Sequence, residues 1–389
     1  MRKLKDKAAI VGIGATEISK NSGRSEMRMA VEAISEAVAD AGLSLRDVDG
    51  LCAVSMDNND ESEIFRNIGG RELKFWSRTN FSGGGTLGPV LHAAMAVDAG
   101  IADVVVCYRS LNQRSEYRFG QALEFKTPSA LNALFSYHAY HGAQTAAAMM
   151  AFIIQRYMHE YGATSADFAN IALAARKHAS TNPKAVFYGK PLTFDDYMAS
   201  RLVTDPLRLF DICLENDAAV ACVVTSAERA KSLRQKPALI RAGAQAASHG
   251  LLGGIINYYG DNIAQFDEMK LLGKQLYAAA DLTPADIDVG IIYDHFGPSV
   301  MLSLEALGFC KQGEAKDFIK NGNIEVGGSL PVNTHGGQVG EGYVHGMNGI
   351  TEAVRQVRGT AANQVKNVRN VLVTSGSGLP TSGAILSAA

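Results

Sequence analysis

One pattern occurs twice in this chain, and it limits the possible folds more than any other feature. Ala41-Gly-Leu-Ser-Leu-Arg-Asp-Val-Asp49 precedes the apolar run LCAVS, and Ala280-Asp-Leu-Thr-Pro-Ala-Asp-Ile-Asp288 precedes VGIIYDHF. The second copy starts 239 residues after the first. Each copy reads as a helix end, a Leu-Ser/Thr helix start, an Asp-x-Asp and a strand. Later in each half come a Gly-rich loop, a helix and a further strand, DVVVCY in the first half and NVLVTSG in the second. Two such units predict a duplicated α/β architecture.

The periodicity predicts strands at Ala8–Gly12, Gly50–Ser55 and Asp103–Tyr108, and helices at Glu26–Ala41 and Leu87–Ala99. We divide the chain into an N-terminal half, 1–230, and a C-terminal half, 231–389. Ser110–Asp211 reads as an insertion in the first half, too long for a simple connection. It carries a predicted helix, Thr145–Tyr161, with an apolar face of Met149, Met150, Ile153, Ile154, Tyr157 and Met158. Such an insertion fits a lid over a site, a third helical layer, or both.

Charge and cysteine usage exclude several function classes. Lys and Arg total 37, Asp and Glu total 39, and the formal charge is -2, so there is no electrostatic case for nucleic acid or an anionic membrane. No stretch reaches the roughly 18 apolar residues of a membrane span. The start, MRKLKDKAAIVGIG, lacks a signal-type apolar core. The five cysteines are odd in number and form no Cys-x-x-Cys pair, so we expect a cytoplasmic protein with buried free thiols and no metal site.

Four segments are candidates for chemistry. Val11-Gly-Ile-Gly-Ala-Thr-Glu17 resembles the start of a dinucleotide fingerprint, but Glu17 stands where the third glycine belongs and would repel a pyrophosphate. A tight turn after the strand explains its glycines better. Phe81-Ser-Gly-Gly-Gly-Thr86 leads into a helix and presents backbone N–H groups suited to an oxyanion. Tyr293-Asp-His-Phe-Gly-Pro298 turns polar at the carboxyl end of an apolar strand, where sites in α/β folds form. Asn333-Thr-His-Gly-Gly-Gln-Val-Gly-Glu-Gly-Tyr-Val-His-Gly346 is the densest signal, and glycine makes up 9 of the 28 residues from Gly322 to Gly349. A linker would not carry Asn, two His, Glu and Tyr in such a run.

These segments, in this order, resemble the thiolase superfamily, in its sterol-carrier or lipid-transfer-protein branch. The likeness extends over AAIVGIGATEIS, HGAQTAAAMMAFIIQRYMHEYG and NPKAVFYGKPLTFDDYMASRLVTDPLRLFDICLENDAAVACVV. It implies two duplicated mixed-sheet halves in a five-layer αβαβα arrangement with an inserted loop domain. A working thiolase of this kind has a nucleophilic Cys in a Gly-rich elbow. Here TNFSGGGTL matches that elbow, with Phe81 or Ser82 in the Cys place. The Asn-Glu-Ala-Phe or His-Asp-Cys-Phe motif matches Tyr293-Asp294-His295-Phe296, and Gly-His-Pro matches Gly342-Tyr343-Val344. The late Cys loop matches Ser375-Gly-Ser-Gly378. Both cysteines and the catalytic histidine are therefore replaced, and Claisen or thiolysis chemistry is not expected without a thiolate and its base.

The resemblance extends to the aldolases of bacterial steroid side-chain degradation. It implies retro-aldol cleavage of a β-hydroxyacyl-CoA, with a 17-hydroxy steroid thioester giving a 17-ketosteroid and propionyl-CoA. Tyr293 and Tyr343 would share the acid and base roles, with Asp294, His295 and His345 tuning them. Ser82, Gly83, Gly84, Asn333, Gly376 and Gly378 would hold the thioester oxygen. CoA would be part of the substrate, and no separate cofactor is implied. Implied partners are a second copy of the chain and a zinc-ribbon/OB-fold protein, in some cases fused to a MaoC-like enoyl-CoA hydratase. The competing readings are a non-catalytic acyl-CoA or sterol binding protein and a structural subunit of a hydratase complex.

Overall fold

The computed structural model describes residues 4–80, 83–116, 118, 120–121, 138–249, 262–377 and 380–389. The strands are β1 (Ala8–Ala15), β2 (Gly50–Val54), β3 (Phe75–Thr79), β4 (Val104–Asn112), β5 (Leu202–Thr204), β6 (Leu207–Arg208), β7 (Asp217–Ser226), β8 (Ala238–Ala246), β9 (Val289–Ile291), β10 (Asn370–Thr374) and β11 (Thr381–Ala388). Apart from the small β5–β6 pair, they form one mixed sheet in the order β3-β2-β4-β7-β1-β8-β11-β10-β9.

The sheet is one half written twice. From β1 outward, β7 and β4 pair antiparallel and β2 then pairs parallel to β4. From β8 outward, β11 and β10 pair antiparallel and β9 pairs parallel to β10. Beside β2 lies β3, and beside β9 a single parallel bridge, Gly290 to Val332, takes the same place. Two residue pairs, Ala9–Leu239 and Ile10–Ala238, join the halves.

The repeated Asp-x-Asp has a physical reason in both copies. Asp47 and Asp286 close capping boxes with Ser44 and Thr283 on single-turn helices. Asp49 then accepts hydrogen bonds from the N–H groups of Asp103 and Val104, which start β4. Asp288 does the same for Arg369 and Asn370, which start β10. Each motif ends one turn and anchors the neighbouring strand.

Alternating side chains build five layers. Val104, Val106 and Tyr108 of β4 pack with helix α1 (Glu26–Asp40) on one outer face. Val105 and Cys107 face the middle layer, made of helices α2 (Gly88–Asp98) and α3 (Met347–Arg358), each of which touches both half-sheets. In β10, Val371 and Val373 face this middle layer while Leu372 faces the other outer layer. Helices Asp267–Ala280 and Ser299–Ala306 cover that face. The helix Ala146–Tyr161 joins the same cluster through Met150, Ile153, Ile154 and Tyr157. The insertion is thus packed on the core there. Tyr157 fastens it by donating to Glu305 at 2.5 Å. Its expected start is corrected, because Ser110–Asn112 continue β4.

A second correction concerns the first glycines. Gly12 and Gly14 lie within β1 and not in a turn after it. Helix α1 crosses them so closely that a Cβ on Gly14 would stand 2.2 Å from the Ala33 carbonyl oxygen. Gly14→Ala is expected to lower the unfolding free energy by about 1–3 kcal/mol through overpacking, read as a shifted urea midpoint. A third correction concerns the thiols. All five cysteines are unpaired, but Cys213 and Cys310 are only half-buried by surface exposure. Among the described residues no helix is long and apolar enough to cross a membrane.

Candidate active site

Tyr293 lies two residues past β9, and Tyr343 follows the one-turn helix Gly337–Gly340. Fifty residues separate them in sequence, yet their hydroxyl oxygens are 3.1 Å apart and buried. They are only 5% and 7% exposed, so this is a contact inside the protein. Asn216 brackets Tyr343, accepting from its N–H at 2.7 Å and donating to its carbonyl at 3.0 Å.

The glycines of three loops make room for one ring. A Cβ on Gly346 would stand 3.0 Å from the Tyr293 ring, and one on Gly376 would stand 3.1 Å from it. A Cβ on Gly83 would stand 3.2 Å from the Tyr293 hydroxyl. Side chains also tie these loops together. Ser382 donates to the Gly84 carbonyl at 2.7 Å, and Thr86 donates to the His345 carbonyl.

Two of the expected oxyanion donors are engaged within the protein. The Asn333 side chain accepts from Ile292 N–H at 2.9 Å and donates to the Ile292 carbonyl at 2.8 Å. It holds the end of β9 and does not point an N–H at a substrate oxygen through those contacts. The Gly376 N–H donates to the Gly83 carbonyl at 2.6 Å and is already used. A Cβ on Gly83 would also stand 3.7 Å from Cζ of Tyr293, and Gly84 is held through its carbonyl by Ser382. Ser82 and Gly378 lie outside the described residues.

Burial governs the electrostatics. It pushes both tyrosines well above their ordinary value, with the neighbouring hydroxyl adding to the rise at Tyr293. Both are therefore protonated near neutral pH, and the pair can pass a proton without either phenolate accumulating. Desolvation lowers His295 to about 3 and drives His345 far below its usual value, so both imidazoles are neutral. The His295 ring lies 4.8 Å from that of Tyr293, and the His345 ring lies 4.9 Å from that of Tyr343.

Asp294 is pushed up to about 7 by burial, against the Gln338 N–H that donates to its Oδ1 at 2.8 Å. Its Oδ2 has no partner among the described residues. A carboxyl raised in the folded state binds more protons there than when unfolded. Its contribution therefore favours folding at low pH, and that benefit is lost as pH rises from the unfolded value of 3.8 to about 7. Asp294→Asn should gain thermal stability relative to the parent over that interval and hold a constant advantage above it. Paired melting curves across pH test the sign.

Asn216, Arg109 and Cys213 lie near the pair and were not expected from the sequence. Arg109 donates from Nε to His345 Nδ1 at 3.1 Å and from Nη1 to Asp57 at 3.2 Å. Cys213 donates its N–H to the His295 carbonyl at 3.0 Å. Burial pushes its thiol far up, so it is not a thiolate nucleophile. Among the described residues, no group of three His, Cys, Asp or Glu side chains is arranged to hold a metal ion.

Comparison with known proteins shows the family. Residues 260–387 match the family model described as thiolase C-terminal domain-like. The chain is 54% identical over 387 residues to the 17-hydroxy-3-oxo-4-pregnene-20-carboxyl-CoA lyase of Mycobacterium tuberculosis, covering 98% of this chain and 100% of that one. It is 53% identical to the steroid side-chain-cleaving aldolase of Thermomonospora curvata, with 100% of each covered. The solved structure of an Ltp2-ChsH2(DUF35) aldolase superposes with a TM-score of 0.95 at 52% identity, covering 100% of this chain and 99% of that one.

Proposed function

Because this chain belongs to the thiolase superfamily, in the branch that holds the steroid side-chain-cleaving aldolases, we propose that it cleaves a β-hydroxyacyl-CoA steroid by a retro-aldol reaction. The substrate class is a 17-hydroxy steroid with a CoA-thioester side chain, and the products are a 17-ketosteroid and propionyl-CoA. The observation that carries the reading is the buried tyrosine pair, 3.1 Å apart, at the two positions that the sequence resemblance matches to a thiolase's base and its Asn or His motif.

In the reaction the bond between the carbinol carbon and the thioester α-carbon breaks. The carbinol loses its O–H proton and becomes a ketone, while the bonding electrons form a thioester enolate. The α-carbon then takes a proton, so no redox partner and no net proton are needed. A neutral Tyr343–Tyr293 pair serves both ends, one hydroxyl receiving the carbinol proton as the other releases its own. Asp294 and His295 border the pair and tune it. Gly83 and Gly84 line the place for the thioester.

The solved relative's name joins its aldolase to a DUF35 chain, which supports a zinc-ribbon/OB-fold partner for this protein too. That partner is in some cases fused to a MaoC-like hydratase, which makes the hydroxyacyl-CoA. Strand β3 forms the sheet edge, with Trp76 62% exposed, and fits a homodimer formed across that edge. The five unpaired thiols fit a reducing, cytoplasmic setting. The test is to supply a steroid hydroxyacyl-CoA to the chain alone and with its partner, and to follow ketone by mass spectrometry. Ketone formed only with the partner supports the full reading. Tight binding without ketone would favour the non-catalytic alternative.

A further inference from the structure

Arg109 is 3% exposed in the middle of the sheet, an unusual place for a cation. Its Nε donates to His345 Nδ1 at 3.1 Å, and its Nη1 donates to Asp57 Oδ2 at 3.2 Å and to the Ser110 carbonyl. Arginine has five N–H donors, no acceptor, and a proton it does not lose in proteins. The hydrogen in the Arg109–His345 bond therefore belongs to Arg109, and His345 Nδ1 is a bare acceptor. A neutral imidazole has one ring proton, and here it must sit on Nε2.

The support behind Arg109 is firm. Asp57 accepts from Ser110 N–H at 2.9 Å, from Asn59 N–H at 3.0 Å and from the Asn59 side chain at 2.8 Å. His345 itself has a backbone φ of 51°, which non-glycine residues seldom adopt, and Thr86 holds its carbonyl. The ionisable groups around its ring are Arg109, His295 and Tyr343. A second proton on His345 would place an imidazolium against the guanidinium.

We propose that Asp57 and Arg109 lock His345 in its Nε2–H form, and that His345 acts as a neutral hydrogen-bond donor to the thioester oxygen as it becomes an enolate. The catalytic half of this proposal rests on the retro-aldol reading above. As the carbon–carbon bond breaks, the electron pair moves toward the thioester oxygen, which gains negative charge. The Nε2–H stabilises that charge without surrendering its proton. The carbinol proton still travels through the tyrosines to the α-carbon. His345 is thus a donor and not the base, and Arg109 and Asp57 are positioning residues.

The direct test is nitrogen NMR of the full chain labelled with 15N-histidine, with His345→Asn to assign its signals among the nine histidines. The expected spectrum has Nε2 protonated and Nδ1 bare, unchanged from about pH 5.5 to about pH 8.5, where an ordinary histidine titrates. A proton on Nδ1, or an imidazolium within that range, overturns the proposal. Asp57→Asn combined with Arg109→Met removes both buried charges together. In that variant the tautomer should become mixed and kcat should fall about 10²-fold, with KM changed by less than about threefold. Arg109→Lys keeps a charged donor and should retain the Nε2–H signal. A folded double variant with the parent's kcat overturns the catalytic half. The tautomer is read without turnover, so an absence of ketone from the parent chain with its partner sinks the aldolase reading separately.

Discussion

Tyr293→Phe and Tyr343→Phe are each expected to lower kcat by about 10²- to 10⁴-fold, the range for a lost acid or base. Each variant removes one hydroxyl of the 3.1 Å pair and keeps the ring that fills the space between the glycine loops. The fold should survive, with a stability loss of about 1 kcal/mol from the missing hydrogen bond. The double variant is the sharper case. If the two hydroxyls pass a proton as one unit, removing both costs little more than removing either. Steady-state ketone release and thermal melts of all three variants measure this. Additive losses would mean two independent roles.

Arg109→Met alone should be the most destabilising of the site substitutions, at about 3–5 kcal/mol, because it leaves a buried carboxylate without its cation. The Asp57 side chain has 0% exposure beside the Arg109 guanidinium. Asp57→Asn with Arg109→Met should recover much of that loss, since no lone charge remains. Urea unfolding of the single and double variants separates the two terms. A single variant as stable as the parent would mean that Asp57 does not depend on the Arg109 guanidinium.

The duplication was readable from the sequence because it is local. The Asp-x-Asp pair and the strand after it lie within one short segment, and each aspartate answers to its neighbours. The site was half readable. Polar residues at the end of β9 and in a Gly-rich loop marked Tyr293 and Tyr343, though their 3.1 Å contact depends on how two distant loops fold back. Asn333 looked like a donor to substrate because composition does not show that its amide is taken up by Ile292. The Gly376 N–H is likewise engaged, by the Gly83 carbonyl. Arg109 had left a signal, as a cation inside the apolar run VVVCYRSLN. A charge in a strand buried on both faces needs a partner, and looking for one leads to Asp57. Cys213 left no comparable mark, because its place beside the tyrosines depends on the backbone bond from its N–H to the His295 carbonyl.

The glycine excess takes on meaning in the same way. Gly83, Gly346 and Gly376 surround the ring of Tyr293 at distances that a side chain would close. These loops hold a phenol ring, and burial keeps the Cys213 thiol nearby neutral. Carbon–carbon cleavage without an acyl-enzyme needs no thiolate, so a site of this kind can serve it.

A single-turnover experiment tests this most directly. The chain and the proposed zinc-ribbon/OB-fold partner are mixed with less than one equivalent of a 17-hydroxy steroid CoA thioester. The reaction is quenched over time, and both small molecules and intact protein are weighed by mass spectrometry. Ketone and propionyl-CoA are expected in equal amounts, with the protein mass unchanged at every time point. An acyl adduct on the protein, or thioester consumed to free acid and CoA without ketone, would contradict this expectation.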